Sequence, residues 1–283
     1  MKINIATILL LLITTLGFSQ EKIKGNGTLK SVKSELSDFK KLVINNDFKA
    51  TLIKTEVPTI EIVTDENLHS EISFVVTDSI LTLETSKKLR PKSLEITIFC
   101  SDNLTEIELN DDASLESLNS IKFDNLSLYI NDYAKAILDI NANNFSLNNA
   151  NQSKINIRSK TKLTVTSTNT KLDLTEYSNT NLTLNTENFK ASLKDHAVLN
   201  IDGKTTNTKI EVLESADVKG KEFTSSVSKI DLFENASAIV SVTDSITLNA
   251  AGKSKLELYN NPKITIKSFT NFAKIFKKEI ISK

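Results

Sequence analysis

The chain has 283 residues, and its 35 basic side chains balance 35 acidic ones, leaving no net charge at neutral pH. That balance, with Arg90 and Arg158 as the only arginines, offers no field for nucleic acid or an anionic bilayer and little of the forked chemistry that grips phosphate. Cys100 is the single cysteine, so no internal disulfide is available and a chain of this length must rely on packing.

The first predicted element is an export signal over residues 1–19. Lys2 precedes an apolar run of Ile3, Ala6, Ile8, Leu9, Leu10, Leu11, Leu12 and Ile13, too short to cross a bilayer comfortably. Gly17 and Ser19 supply the small residues a signal peptidase reads, which places cleavage after Ser19, with Gln20 as the alternative. A membrane anchor is the competing reading, and the polar residues from Gln20 to Lys24 argue against it. The mature chain holds no transmembrane segment and no cysteine for lipid attachment near the cleavage site. The expected location is extracytoplasmic: periplasm, outer-membrane associated or cell surface.

Residues 20–93 read as an N-terminal β region. Lys41 to Ile44, Thr51 to Ile53, Thr59 to Val63 and Ile80 to Leu83 carry strand composition, and a basic loop from Ser86 to Pro91 follows. In Leu94 to Cys100 the cysteine shares parity with Leu94, Ile96 and Ile98, which makes it a buried apolar residue rather than a reactive nucleophile.

Residues 94–268 repeat. Ile107 to Leu115 matches Leu128 to Ala136 at every informative position, and the pattern returns at Leu172 to Ser178, Ala191 to Ala197, Ile210 to Ala216 and Ile230 to Ala236. Two looser copies are read at Phe145 to Asn151 and Ile246 to Gly252. Each copy runs apolar, any, apolar, any, acid or amide, any, small. Alternation with period two marks a strand with one face inward, and a step of about 20 residues is that of a stacked-coil fold. A longer coil is expected between Leu147 and Leu174, where Ile157, Leu163 and Val165 suggest an irregular turn. The fold class is therefore all-β, a parallel β-helix or β-solenoid with an N-terminal β region and a C-terminal cap or tail at residues 269–283. Phe272, Ile275, Phe276 and Ile280 follow a helical spacing there.

A straight strand would bury the acid on the inward face, so the chain must bend at that point. Asp111, Asp132, Glu176, Asp195, Glu214 and Glu234 should then form a column along one edge, most simply solvated and relieved by nearby lysines. A cation-binding edge is the sharper alternative, although no compact calcium-loop spacing accompanies it. The next position contributes Tyr133, Tyr177 and His196, an aromatic ridge able to meet a sugar ring or a protein partner. His69 and His196 are far apart and lack paired cysteines, so no zinc site is expected. No Gly-x-Ser-x-Gly turn and no cofactor motif is present, and no catalytic residue is assigned.

Several further residues carry a family resemblance. Gly25-Asn26-Gly27, Phe39 before the strand at Leu42 to Ile44, Asp65-Glu66-Asn67-Leu68, Asp78 to Leu83 and Tyr259-Asn260-Asn261-Pro262-Lys263 occur in that order. With them the chain resembles the autotransporter-adhesin head GIN domain proteins of Bacteroidetes. The resemblance implies a right-handed parallel β-helix-like fold, an extracytoplasmic location, a role in adhesion or envelope structure, and no established active site. The sequence departs from that family in holding six glycines only, with Asn or Asp at turns where glycine is common.

Two function classes follow. One is an exported, non-catalytic envelope or surface module presenting a flat solenoid face to an envelope polysaccharide or another surface protein. The other is a polysaccharide lyase or hydrolase on a β-helix. Short corners without a long catalytic loop favour the first.

Overall fold

The computed structural model describes residues 22–150 and 160–279; the expected signal peptide, Ile157 and Ile280 lie outside them. Nearly every element is a strand, and the short 3-10 turn Glu66–Glu71 is the one helical element among the described residues. The body is a β-solenoid of about eight turns, each of roughly 19 residues.

Parallel pairing places each copy of the repeat directly above the last. Leu109 pairs with Ile130, Ile130 with Asn149, Asn149 with Leu174, Leu174 with Leu193, Leu193 with Val212, and Val212 with Leu232. The apolar members of this row are fully buried. A single coil leaves its inward side chains covered on neither edge, so each gains its seal from the coils above and below.

Each full coil is one long strand, such as Asn179–Leu193, closed by a tight turn. The strand bends midway. In Lys135–Asn149 the inward residues are Ala136, Leu138, Ile140 and Ala142, then two outward residues, Asn143 and Asn144, then Phe145, Leu147 and Asn149. Two consecutive outward residues reverse the parity of burial, and the same reversal occurs at Asp124-Asn125 in the coil before. This second corner was absent from the sequence reading, which placed one corner in each coil.

The two looser copies are shifted by two residues from that reading. Leu147 pairs with Leu172, so Asn149 sits in the core row rather than at the corner. Leu248 pairs with Ile230 and Ala250 with Leu232, which puts Gly252, not Ala250, at the corner. A slip of two keeps every side chain on its own face, so alternation alone could not detect it. The 25-residue offset from Leu147 to Leu172 is the longer coil that was expected there.

Asn149 is the polar exception in the core row. Its Nδ2 donates to Thr180 Oγ1 at 2.9 Å, and both residues are fully buried, but its Oδ1 has no partner among the described residues. A buried acceptor without a donor costs on the order of 1–3 kcal/mol. The pair Asn149→Leu with Thr180→Val is therefore expected to stabilise the chain by about 1–2 kcal/mol. Urea titration of the double variant reads this as a raised midpoint; an unchanged or lowered midpoint contradicts it.

The stack extends into the region before residue 94. The strands Lys41–Ile44 and Lys49–Lys54 pair in parallel with Glu106–Leu109 and Ser114–Ser117, and Asn46 occupies the corner. Residues 55–105 are an insertion between two adjacent coils, which hid this coil from a search at fixed period. Below it, Ile80–Glu84 and Leu94–Cys100 pair in parallel with the same two strands. The end is then closed by antiparallel strands: Ser73–Thr77 on Ile80–Glu84, Thr59–Asp65 on Leu94–Cys100, and Leu29–Glu35 outermost. Lys30 and Lys33 on that outermost strand hinder pairing with a further chain. The basic loop holds a short strand, Lys88–Arg90, paired with Lys22–Lys24. Cys100 is fully buried, and burial pushes its thiol up to about 11.

At the other end the helical spacing of Phe272, Ile275 and Phe276 gives way to a strand. Lys274–Lys277 pairs in parallel with Lys255–Tyr259, and Ala273 and Ile275 pack against the core. Asn271-Phe272-Ala273 is one more copy of amide, any, small, so the corner sets the path and tertiary pairing overrides the helical pattern.

Candidate functional site

The corner column is built by backbone geometry. Asn46, Asp111, Asp132, Glu176, Asp195, Glu214, Glu234 and Asn271 all have φ between 53° and 62°, and Gly252 fills the same place with φ 76°. A left-handed residue strains any side chain with a Cβ, and Asn and Asp tolerate it best. The turn is closed by a hydrogen bond three residues long, as from Ala197 N–H to the Lys194 carbonyl and from Ala216 N–H to the Leu213 carbonyl. The small residue is buried because it re-enters the core directly after the turn: Ala113, Ala134, Ser178, Ala197, Ala216 and Ala236.

Successive turns lock together through this column. The N–H after the corner residue donates to the corner carbonyl one coil below, from Tyr133 to Asp111, His196 to Glu176, Ser215 to Asp195 and Asn235 to Glu214. The aspartates add a side-chain bond. Asp111 Oδ2 accepts from Asn46 N–H at 2.7 Å and Asp195 Oδ2 from Glu176 N–H at 3.0 Å. The lysines expected to relieve the column do not pair with it among the described residues, where no ion pair includes any of the six acids. Main-chain N–H groups do that work at the aspartates. Nor do three or more acids, histidines or cysteines converge as a metal site among the described residues.

The glutamates bear the repulsion. The carboxyl of Glu214 shares a hydrogen bond with Asp195 and lies in the field of Asp195 and Glu234, which raises its affinity for a proton; burial, then Asp195 and Asp132, do the same for Glu176. A carboxyl held above its unfolded value favours the fold at low pH and loses that contribution as pH rises through the folded value. Glu214→Gln is therefore expected to melt higher than the parent at pH 7. The difference should vanish below about pH 4, where parent and unfolded chain are both protonated. Thermal melts of both proteins across that range test it, and a gap that persists in acid contradicts it.

Tyr177 and His196 stack on the ridge beside this column, with ring centroids 4.9 Å apart and 14° between planes. Tyr133 occupies the same ridge, but the turn of the coil between it and Tyr177 lies outside the described residues.

The second corner carries a feature that sequence reasoning missed. Asn125, Asn144, Asn169, Asn188 and Asn207 form a continuous ladder. From Asn144 upward each Nδ2 donates to the Oδ1 of the coil below, at 2.7, 3.0, 3.1 and 3.0 Å in turn. Two residues on, Ser127, Ser146, Lys171, Lys190 and Lys209 make a parallel outward ridge. Between the ridges runs a groove of about 580 Å³ that crosses five coils. Leu126, Phe145, Thr170, Phe189 and Thr208 give it their main chain as floor while their side chains are buried. Lys171 pairs with Asp173 at 2.6 Å, whereas Lys190 and Lys209 make no ion pair among the described residues. The signal was present as an Asn two residues before an alternating Ser or Lys, recurring at the coil step.

The sequence pattern of a known family, described as "Putative auto-transporter adhesin, head GIN domain", matches residues 38–169 and 160–262. The chain belongs to the head GIN domain family. No curated protein matches it. Among solved structures, this head GIN domain is similar to a "putative adhesin" from Parabacteroides merdae, at 18% identity over 91% of this chain and 99% of that one, with a TM-score of 0.66. A "putative adhesin" from Parabacteroides distasonis shares 16% identity over 92% and 100% of the two chains, with a TM-score of 0.67. A "putative lipid binding protein" from the same species shares 16% identity over 91% and 100%, with a TM-score of 0.64. At these identities the likeness is one of fold.

The motif of the head GIN resemblance turns out to be a structural staple. Gly27 N–H and Lys92 N–H donate to the two oxygens of buried Asp65, at 2.5 and 2.6 Å. These bonds, Lys92 first, hold its carboxyl below the usual range against the opposing effect of burial. Asn67 accepts from Asn26 N–H and donates to the Lys24 carbonyl. A Cβ at Gly25 would fall on the Asp65 carboxyl, so glycine there is required by close approach.

Proposed function

We propose that this head GIN domain is an exported, non-catalytic adhesive module of the cell envelope that presents an outward solenoid face to a partner. The observation that carries the reading is the row of identical side chains: the asparagine ladder and its companion ridge repeat one contact across five coils. Such repetition suits an extended partner, since each rung adds a small equal increment to binding. Catalysis asks for the opposite, a few unlike groups converging on one reacting atom. The family description and the similarity to two proteins described as adhesins support this reading, and the export signal expected from the sequence supports a location outside the cytoplasm. The Parabacteroides distasonis protein described as lipid binding makes an amphiphilic partner the comparison to include.

Beads coated with the purified chain are expected to retain isolated cell envelopes, and external protease is expected to remove the chain from intact cells. Release of unsaturated or reducing sugar products from envelope polysaccharides would replace the module with an enzyme. On such beads, no retention at any salt concentration counts against adhesion.

A further inference from the structure

We propose that the groove between the asparagine ladder and the Ser127–Lys209 ridge binds a linear, uncharged polysaccharide lying along the solenoid axis. This deepens the adhesive reading and rests on it, by naming the site and the ligand class. Each interior ladder amide, Asn144, Asn169 and Asn188, spends one N–H and one acceptor position on its neighbours, leaving a second N–H and a second lone pair for a ligand. The facing ridge offers the hydroxyl hydrogen of Ser127, whose oxygen accepts from Ser146 Oγ at 3.0 Å, and the ammonium groups of Lys190 and Lys209, while Lys171 is tied to Asp173. The ladder wall therefore offers both donors and acceptors, and the lysine part of the facing wall offers donors, each repeating at the coil spacing of about 4.8 Å. The hydroxyls and ring oxygens of a sugar chain can meet both, since each hydroxyl donates and accepts.

Other occupants fit less well. A peptide strand would need an unpaired sheet edge, and the groove floor is main chain already paired on both sides from one coil to the next. An acyl chain could lie on the aliphatic carbons of the walls, but it would cover the amide, hydroxyl and ammonium groups set among them without pairing them. A polyanion would need a positive row along the whole groove, but the ridge is serine at Ser127 and Ser146 and Asp173 already holds Lys171.

The test is calorimetric titration of the purified chain with neutral β-linked glucan, xylan and mannan oligosaccharides, from disaccharide to hexasaccharide. Oligouronates and phosphatidylcholine vesicles serve as comparators. For at least one neutral series the affinity should rise with each unit until the chain is as long as the groove, and it should hold in high salt. Asn169→Leu with Asn188→Leu should weaken binding by roughly tenfold or more. Lys190→Ala with Lys209→Ala leaves the ladder intact and should weaken it as well, which keeps the test valid if the ladder variant misfolds. Tyr177→Ser, on the corner ridge, should leave it unchanged. Silence across all the neutral series overturns the proposal, as does binding confined to oligouronates and abolished by salt, or to vesicles. Envelope retention that survives both groove variants overturns the groove and leaves the adhesive module standing. Oligosaccharide binding without envelope retention does the reverse.

Discussion

Phe189→Ala is expected to cost about 3–5 kcal/mol of folding stability, near the upper end for a single truncation. Phe189 is 2% exposed, and its ring meets that of Phe223 edge-to-face, with centroids 5.4 Å apart and 77° between planes. The two rings belong to coils that are not adjacent: Asn179–Leu193 and Asp217–Leu232 are separated by Val198–Val212. They meet because the intervening coil is small there, placing Thr208 above Phe189 and Gly203 below Phe223. Thr170 and Thr208 flank Phe189 in its own column, and neither can swing in to fill the space left by a lost ring. Contacts in a solenoid are made between neighbours, so the loss should be felt in nearby coils before distant ones. Hydrogen exchange should then accelerate across residues 179–232 while the Thr59–Asp65 and Leu94–Cys100 strands stay protected. Uniform acceleration along the whole chain would mean that the stack unfolds as one unit.

Gly203→Ala should be nearly as damaging, by about 2–5 kcal/mol, from backbone strain and overpacking together. Gly203 has φ 108°, a conformation closed to residues with a Cβ, at a point where the register with the next coil shifts. A Cβ built there falls on the carbonyl oxygen of Leu184, well inside van der Waals contact. Main chain cannot step aside as a flexible side chain would, so the coil must move. Movement of that coil also separates Phe189 from Phe223. The two substitutions should therefore be less than additive, the second costing less once the aromatic contact has gone. Urea denaturation of the two single variants and the double variant closes the cycle. Full additivity would show that the glycine and the ring pair act independently.

Within the repeat, the sequence alone was sufficient where a signal is local and recurs. The row from Leu109 through Ile130 to Leu232 and the corner acids from Asp111 to Glu234 are visible because alternation and a bend-forming residue return at one step. The same logic failed at Asn149 and Gly252, where period two is blind to a shift by two. It also failed at the second corner. Two outward residues in succession, as at Asn143-Asn144, look like a lapse in the pattern rather than a bend. The asparagine ladder that lines the groove was hidden for that reason.

What the amino-acid order determined by itself is the repeat unit: which face of each strand is apolar, where the chain must turn, and that no coil is complete alone. Tertiary structure decided which coil lies on which. It brought Asn46 beneath Asp111 across 65 residues, drew Phe272 to Phe276 into a strand, and closed one end with antiparallel strands. The physical reason is that pairing between coils is a contact between distant residues, won through shared hydrogen bonds and buried side chains, and period-two alternation leaves several registers equally plausible until a partner coil selects one.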